Sequence, residues 1–133
     1  MTPQAPPVEY AVAVERYLAA VPLTAASRRV YRISLQAWAW ALAGRPLPQG
    51  AARRGAPPPV IPLALLDRPD ARERLWQALR ARTAAVGART VRRELAALRS
   101  ALAWWCERGW LTRPPELPAV PPATGRARRA APA

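Results

Sequence analysis

The chain has 133 residues, enough for one domain with its own hydrophobic core. Its formal net charge of +13 comes from 21 basic residues, all of them arginine, against 8 acids. Such a surplus attracts polyanions, chiefly nucleic acid or an anionic membrane. With no histidine and only Cys106, an activated thiol, a metal site or an intramolecular disulfide is not expected. We therefore expect no cofactor, no metal and no catalysis by this chain.

Two segments bear on where the protein resides. The N-terminal run MTPQAPPVEY has no basic region followed by an apolar stretch, so it does not resemble a secretory signal. The most apolar window, ISLQAWAWALAG, lies between Arg32 and Arg45 and is too short to cross a bilayer. These features predict a soluble, cytoplasmic protein.

The first half of the chain predicts two helices after a flexible, proline-rich segment at 1–7. From Val8 to Ala20, apolar side chains recur at helical spacing, and Pro22 ends the pattern. A second helix begins near Thr24, a favourable N-cap residue, and ends at Gly44. Its apolar stripe consists of Tyr31, Leu35, Trp38 and Leu42.

The second half predicts two more helices. Residues 45–62 are too rich in Pro, Gly and Arg for a regular element and indicate a long exposed loop. A third helix is expected over residues 70–84 and a fourth over 88–108, ended by Gly109. Residues 114–133 read as a flexible basic tail or linker. No strand pattern appears, so the prediction is an all-α bundle of four helices over residues 8–113.

The fourth predicted helix separates leucines from arginines. Its apolar seam consists of Val91, Leu95, Leu98, Leu102 and Trp105. Beside it lies a second set made of Arg89, Arg92, Arg93, Ala96, Arg99, Ser100 and Ala103. Only Glu107 intrudes on this second set, and Glu94 falls beyond the seam. Small side chains let a helix approach a groove while arginines reach phosphates or guanine, so the pattern predicts contact with duplex DNA.

The second predicted helix repeats this arrangement. Beside its stripe lie Arg28, Arg29, Arg32 and Gln36, and glutamine can pair with adenine in the major groove. The two basic flanks are expected to form one positive wall. Trp38 and Trp105 lie on the seams and should be buried. Trp40 and Trp104 point away from the seams, which leaves open whether they stack on bases or pack against another helix.

Two runs resemble the core-binding domain of tyrosine recombinases, the phage-integrase family. LTAASRRVYRISLQAWAWAL resembles that domain's second helix, and RTVRRELAALRSALAWWCERGWL resembles its fourth helix and exit. The matching residues are Ser27, Tyr31, Leu35, Trp38, Thr90, Val91, Arg93, Leu95, Leu98, Arg99 and Gly109. The resemblance covers roughly residues 8–115. It departs from the family where Gly87 replaces a serine and in the long loop after the second helix.

The resemblance implies a SAM-like helical clamp that lies across one side of duplex DNA. It implies DNA contacts by the second and fourth helices, with Ser27 and Thr90 as phosphate or capping hydroxyls. The full expected set is Ser27, Arg28, Arg29, Arg32, Gln36, Arg89, Thr90, Arg92, Arg93 and Arg99. The family's catalytic lysine, histidine and late tyrosine have no counterpart here, because the chain has no lysine, no histidine and no tyrosine after Tyr31. The chain is then either an amino-terminal piece of an integrase or a free-standing clamp, with other recombinase subunits as further partners on DNA.

Two other interpretations remain open at the level of sequence. The chain could be a helical regulatory protein whose basic surface meets an acidic protein partner, through Trp40 and Trp104 for example. It could also bind RNA or an anionic membrane without specificity, through the arginines of the loop and the tail.

Overall fold

The computed structural model describes residues 5–117. Within them, the helices in chain order are α1 (Tyr10–Ala20), α2 (Ala25–Leu42), α3 (Ala51–Gly55), a 3₁₀ helix (Leu63–Asp67), α4 (Ala71–Ala85) and α5 (Ala88–Glu107). This range contains no strand, and its one β-type pairing is an isolated bridge between Glu9 and Pro62. The all-α class is therefore confirmed. Residues 1–4 of the segment predicted at 1–7, and residues 118–133 of the tail predicted at 114–133, lie outside the described residues.

The predicted ends of the two helices expected to contact DNA are confirmed within a residue or two. Thr24 is the N-cap of α2, and its hydroxyl accepts a hydrogen bond of 3.0 Å from the backbone N–H of Ser27. Gly44 and Gly109 follow α2 and α5 with φ angles of 71° and 77°. Glycine adopts this left-handed conformation without the Cβ clash of other residues, which is why both helices end there.

The first helix starts later than predicted. The backbone N–H of Leu63 donates to the carbonyl of Val8 (2.8 Å), and that of Tyr10 donates to the carbonyl of Ile61 (2.9 Å). These bonds hold the residues before α1 extended against the segment that leads into the 3₁₀ helix. Apolar spacing alone could not reveal this pairing, because the partner lies more than fifty residues away.

The loop over residues 45–62 is not irregular throughout, so that part of the prediction is wrong. It contains α3, a single turn that begins after Gly50 (φ 58°) and is followed by the proline run that starts at Pro57. Residues 5–117 therefore contain five α-helices and a 3₁₀ helix, where four helices were expected.

The core lies where α2 packs against α1, α4 and α5. Trp38 and Trp105 are fully buried in it, as predicted. The indole N–H of Trp38 donates to the carbonyl of Glu94 (2.8 Å), and that of Trp105 donates to the carbonyl of Ala13 (3.0 Å). Each tryptophan thus combines a large apolar area with one satisfied polar group, and together they fix α5 against α2 and α1.

Across residues 5–117, none of the helices combines the length and the apolarity that crossing a bilayer requires.

Candidate nucleic-acid interface

Helix α5 presents one buried and one exposed side. The predicted seam from Val91 to Trp105 is buried. The predicted basic set is exposed, and we call it the basic face of α5: Arg89, Arg92, Arg93, Ala96, Arg99, Ser100 and Ala103. The sequence pattern therefore separated the two sides of this helix correctly.

The four arginines of the basic face have no partner among residues 5–117, whether a hydrogen bond, an ion pair or an aromatic ring. No acid lies in the first turn of α5, and its N-cap, Gly87, makes no side-chain cap bond. Cations near a helix N-terminus oppose the macrodipole by about 0.3–1 kcal/mol each. Like charges three or four residues apart, as in Arg89 and Arg93, add about 0.2–0.5 kcal/mol. A bound anion would relieve both costs.

The shape of the basic face suits a groove. Ala96 and Ala103 lie between Arg92 and Arg99 on one edge and Arg93 on the other, at about 100° per residue. A helix is about 10–12 Å across and the major groove of B-DNA about 12 Å wide. The arginines span about 15 Å along the axis, the length of about four phosphates of one strand. Guanidinium groups could therefore reach the backbone on both sides of the groove.

Two arginines of α2 are occupied within the protein. The Nε of Arg28 donates to the carbonyl of Leu18 at 2.9 Å, and its Nη2 to that of Val21 at 3.5 Å, so Arg28 binds the last carbonyls of α1. Arg32 forms a bidentate ion pair with Glu15, with both N···O distances at 2.9 Å. The hydrogen bonds to Glu15 raise the pKa of Arg32. Both side chains point toward α1, and neither joins the unpaired arginines of α5.

The other predicted residues occupy varied positions. Ser27 and Thr90 are half-buried in the first turns of α2 and α5. Gln36 is half-buried in a crevice beside the loop, and Arg29 is exposed and without a partner among the described residues. The structure therefore places Arg89, Arg92, Arg93 and Arg99 on one exposed side of α5, and Thr90 outside that side. Arg28 and Arg32 bind α1 and Gln36 borders the crevice, so these three residues of α2 do not join the predicted positive wall.

The two tryptophans that lie off the seams, Trp40 and Trp104, pack within the protein. Trp40 is 7% exposed, and the guanidinium of Arg45 lies 4.9 Å from its ring centroid. Trp104 meets Tyr17 and Trp110 edge-on, at centroid distances of 5.9 and 5.4 Å. Both rings therefore pack against other side chains of the protein, which is the second of the two possibilities that the sequence leaves open.

Sequence reasoning missed the buried ion pair that sets the position of α5. Arg82 of α4 donates from Nε and Nη2 to the two carboxylate oxygens of Glu94, at 2.9 and 2.7 Å. The side chains are only 7% and 8% exposed. One signal was available: Arg82 continues the buried stripe of α4 after Leu75 and Leu79. An arginine on an apolar stripe needs a buried acid, and Glu94 lies beside the seam of the next helix.

Cys106 is half-buried beside the seam of α5, and burial raises the pKa of its thiol. No group of three or more potential metal ligands occurs in the range 5–117.

Comparison with protein-family models, with curated proteins and with solved structures finds no match to this chain. The resemblance to the recombinase clamp therefore depends on the residues of this sequence alone.

Proposed function

We propose that this chain binds duplex DNA in a sequence-directed manner through the basic face of α5, as the core-binding clamp of a site-specific tyrosine recombinase. The observation that carries the proposal is a row of four exposed arginines with no acid on the same side of α5 until Glu107. Guanidinium groups are the side chains that most often bind phosphate and guanine bidentately.

The rigidity of α5 supports the same function. The Trp38 and Trp105 hydrogen bonds and the Arg82–Glu94 pair hold its buried side at three points. The unpaired arginines thus extend from a fixed rod rather than from a loop. A preorganised surface loses less conformational entropy when it binds.

The recombinase part of the proposal depends on the resemblance at Ser27, Tyr31, Thr90 and Arg93 and on the order of the helices. The clamp would position DNA, and strand exchange would require catalytic residues that these 133 residues do not include. The expected partners are double-stranded DNA and other recombinase subunits bound to it.

The test is fluorescence anisotropy with a labelled duplex of about 30 base pairs at moderate salt. We expect Arg92→Ala/Arg93→Ala/Arg99→Ala to lose measurable binding while its circular dichroism stays helical. A control of equal charge, Arg72→Ala/Arg80→Ala/Arg113→Ala, removes exposed arginines outside the basic face. This control should lose only the small part of the affinity that comes from three fewer positive charges on the protein. Equal losses in the two triple variants, or none in the first, would refute the assignment of the site.

Preference for a particular DNA sequence requires a separate measurement. Genomic fragments selected by the wild-type chain in the presence of excess nonspecific competitor should share a motif. Selection without enrichment would reduce the function to general DNA binding.

A further inference from the structure

The stretch between Glu15 and Asp67 contains no acid but seven arginines: Arg16, Arg28, Arg29, Arg32, Arg45, Arg53 and Arg54. Arg28 and Arg32 bind α1, and Arg45 lies over Trp40. The rest have no partner among residues 5–117. A surface that is simply solvated normally mixes its charges, so the unpaired arginines of this acid-free stretch call for a negative partner.

Helix α3, which carries two of these arginines, is held in place at both ends of its loop. At one end, Arg45 follows α2, and its backbone N–H donates to the carbonyl of Trp40 at 3.0 Å. At the other end, Ile61 is buried, and its carbonyl accepts the 2.9 Å hydrogen bond from Tyr10. Arg53 and Arg54 are exposed between these anchors.

Arg53 borders a crevice of about 230 Å³ between the loop and the outer side of α2. Gln36, Ile33 and Trp40 form the α2 wall of this crevice. Ile33 is 45% exposed, and Arg29 lies one turn before it on the same side of the helix. The loop therefore brings Arg53 next to the part of α2 that carries its one unpaired arginine and an exposed apolar side chain.

We propose that Arg53 and Arg54, together with Arg29, form a second DNA-contacting surface that binds backbone phosphates. We call it the α2–α3 surface. It lies on the side of α2 that faces away from the core, distinct from the basic face of α5. The inference rests on the proposed function, because it takes duplex DNA as the polyanion. It assigns a role to the long loop over residues 45–62. The DNA contacts expected from α2 and α5 do not explain why this loop carries arginines.

Salt dependence tests this surface, because each phosphate contact adds a defined slope. We expect Arg53→Ala/Arg54→Ala to reduce the slope of log K against log salt by about 1.8, since each lost contact removes about 0.9. At about 0.1 M salt the loss of affinity should be roughly 10- to 60-fold. The control Arg80→Ala/Arg113→Ala removes the same charge from α4 and from the segment after α5, and should leave the slope within about 0.5 of wild type. Unchanged thermal melting of both double variants shows that the fold is retained.

The outcomes separate this inference from the proposed function. If the α5 triple variant loses binding while Arg53→Ala/Arg54→Ala behaves like its control, the α2–α3 surface is refuted and the proposed function stands. If neither variant differs from wild type, both are refuted. If the Arg53→Ala/Arg54→Ala change weakens binding to phosphatidylglycerol vesicles and leaves duplex binding intact, the surface serves a membrane, and the inference is wrong.

Discussion

The buried pair between Arg82 and Glu94 gives the sharpest prediction for the fold. Glu94→Ala would leave a guanidinium that is 7% exposed without its carboxylate. The two charge-assisted hydrogen bonds, at 2.9 and 2.7 Å, would be lost. Removing one partner of such a pair costs about 3–5 kcal/mol. A domain of this size is typically stable by about 5–15 kcal/mol, so the variant should be folded but strongly destabilised.

Urea unfolding followed by tryptophan fluorescence measures this cost, because the buried indoles of Trp38 and Trp105 report on the packing of α5. Replacing both partners, as in Arg82→Met/Glu94→Leu, removes the need for charge compensation and should be neutral or stabilising by up to about 4 kcal/mol. This double variant should bind DNA like wild type, because the pair lies outside the basic face of α5. A decrease in the free energy of unfolding below about 1 kcal/mol for Glu94→Ala, a value typical of exposed pairs, would contradict this account. It would show that the pair is open to solvent and does not hold α4 against α5.

Three further predictions address individual side chains and the charge. Arg28→Ala should lower the free energy of unfolding by about 1–2 kcal/mol, because it removes the bonds to the last carbonyls of α1; the exposed neighbour change Arg29→Ala should cost less than about 0.5 kcal/mol in the same urea titration. Burial raises the pKa of Tyr10, so above about pH 10 the unfolded chain releases a proton that the folded chain retains. Stability should therefore fall by up to about 1.4 kcal/mol per pH unit for this group, and Tyr10→Phe should flatten the fall measured by urea midpoints between pH 8 and 12. Wild-type affinity for duplex should fall with salt with a log–log slope of at least about 3.6 in magnitude, for four phosphate contacts on α5; a slope near zero in an anisotropy titration would contradict an electrostatic interface.

The periodic parts of the fold were predictable because helical spacing reports directly on burial. The seam of α5 and its exposed arginines follow from the 3.6-residue repeat, and Thr24, Gly44 and Gly109 mark helix ends through local backbone chemistry. Such signals act over a few residues. A single sequence therefore contains them in full.

The contacts between distant segments were not predictable in the same way. Arg28 and Arg32 have the same helical positions whether they face DNA or α1, and only the packing of α1 brings the Leu18 carbonyl and Glu15 within reach. Trp40 lies off the stripe of α2, yet the loop covers it. In each case a second segment of the chain covers or binds the side chain. The apolar repeat along one helix carries no information about that second segment.

The most direct test of the central claim locates the DNA on the protein. Backbone amide shifts of the ¹⁵N-labelled chain, followed during titration with a short duplex, should change along Arg89–Ala103. Residues on the outer side of α4, including Trp76 and Arg80, should stay unchanged. Shifts confined to α4, or no shifts at a duplex concentration that saturates anisotropy, would contradict the assignment of the basic face of α5 as the interface.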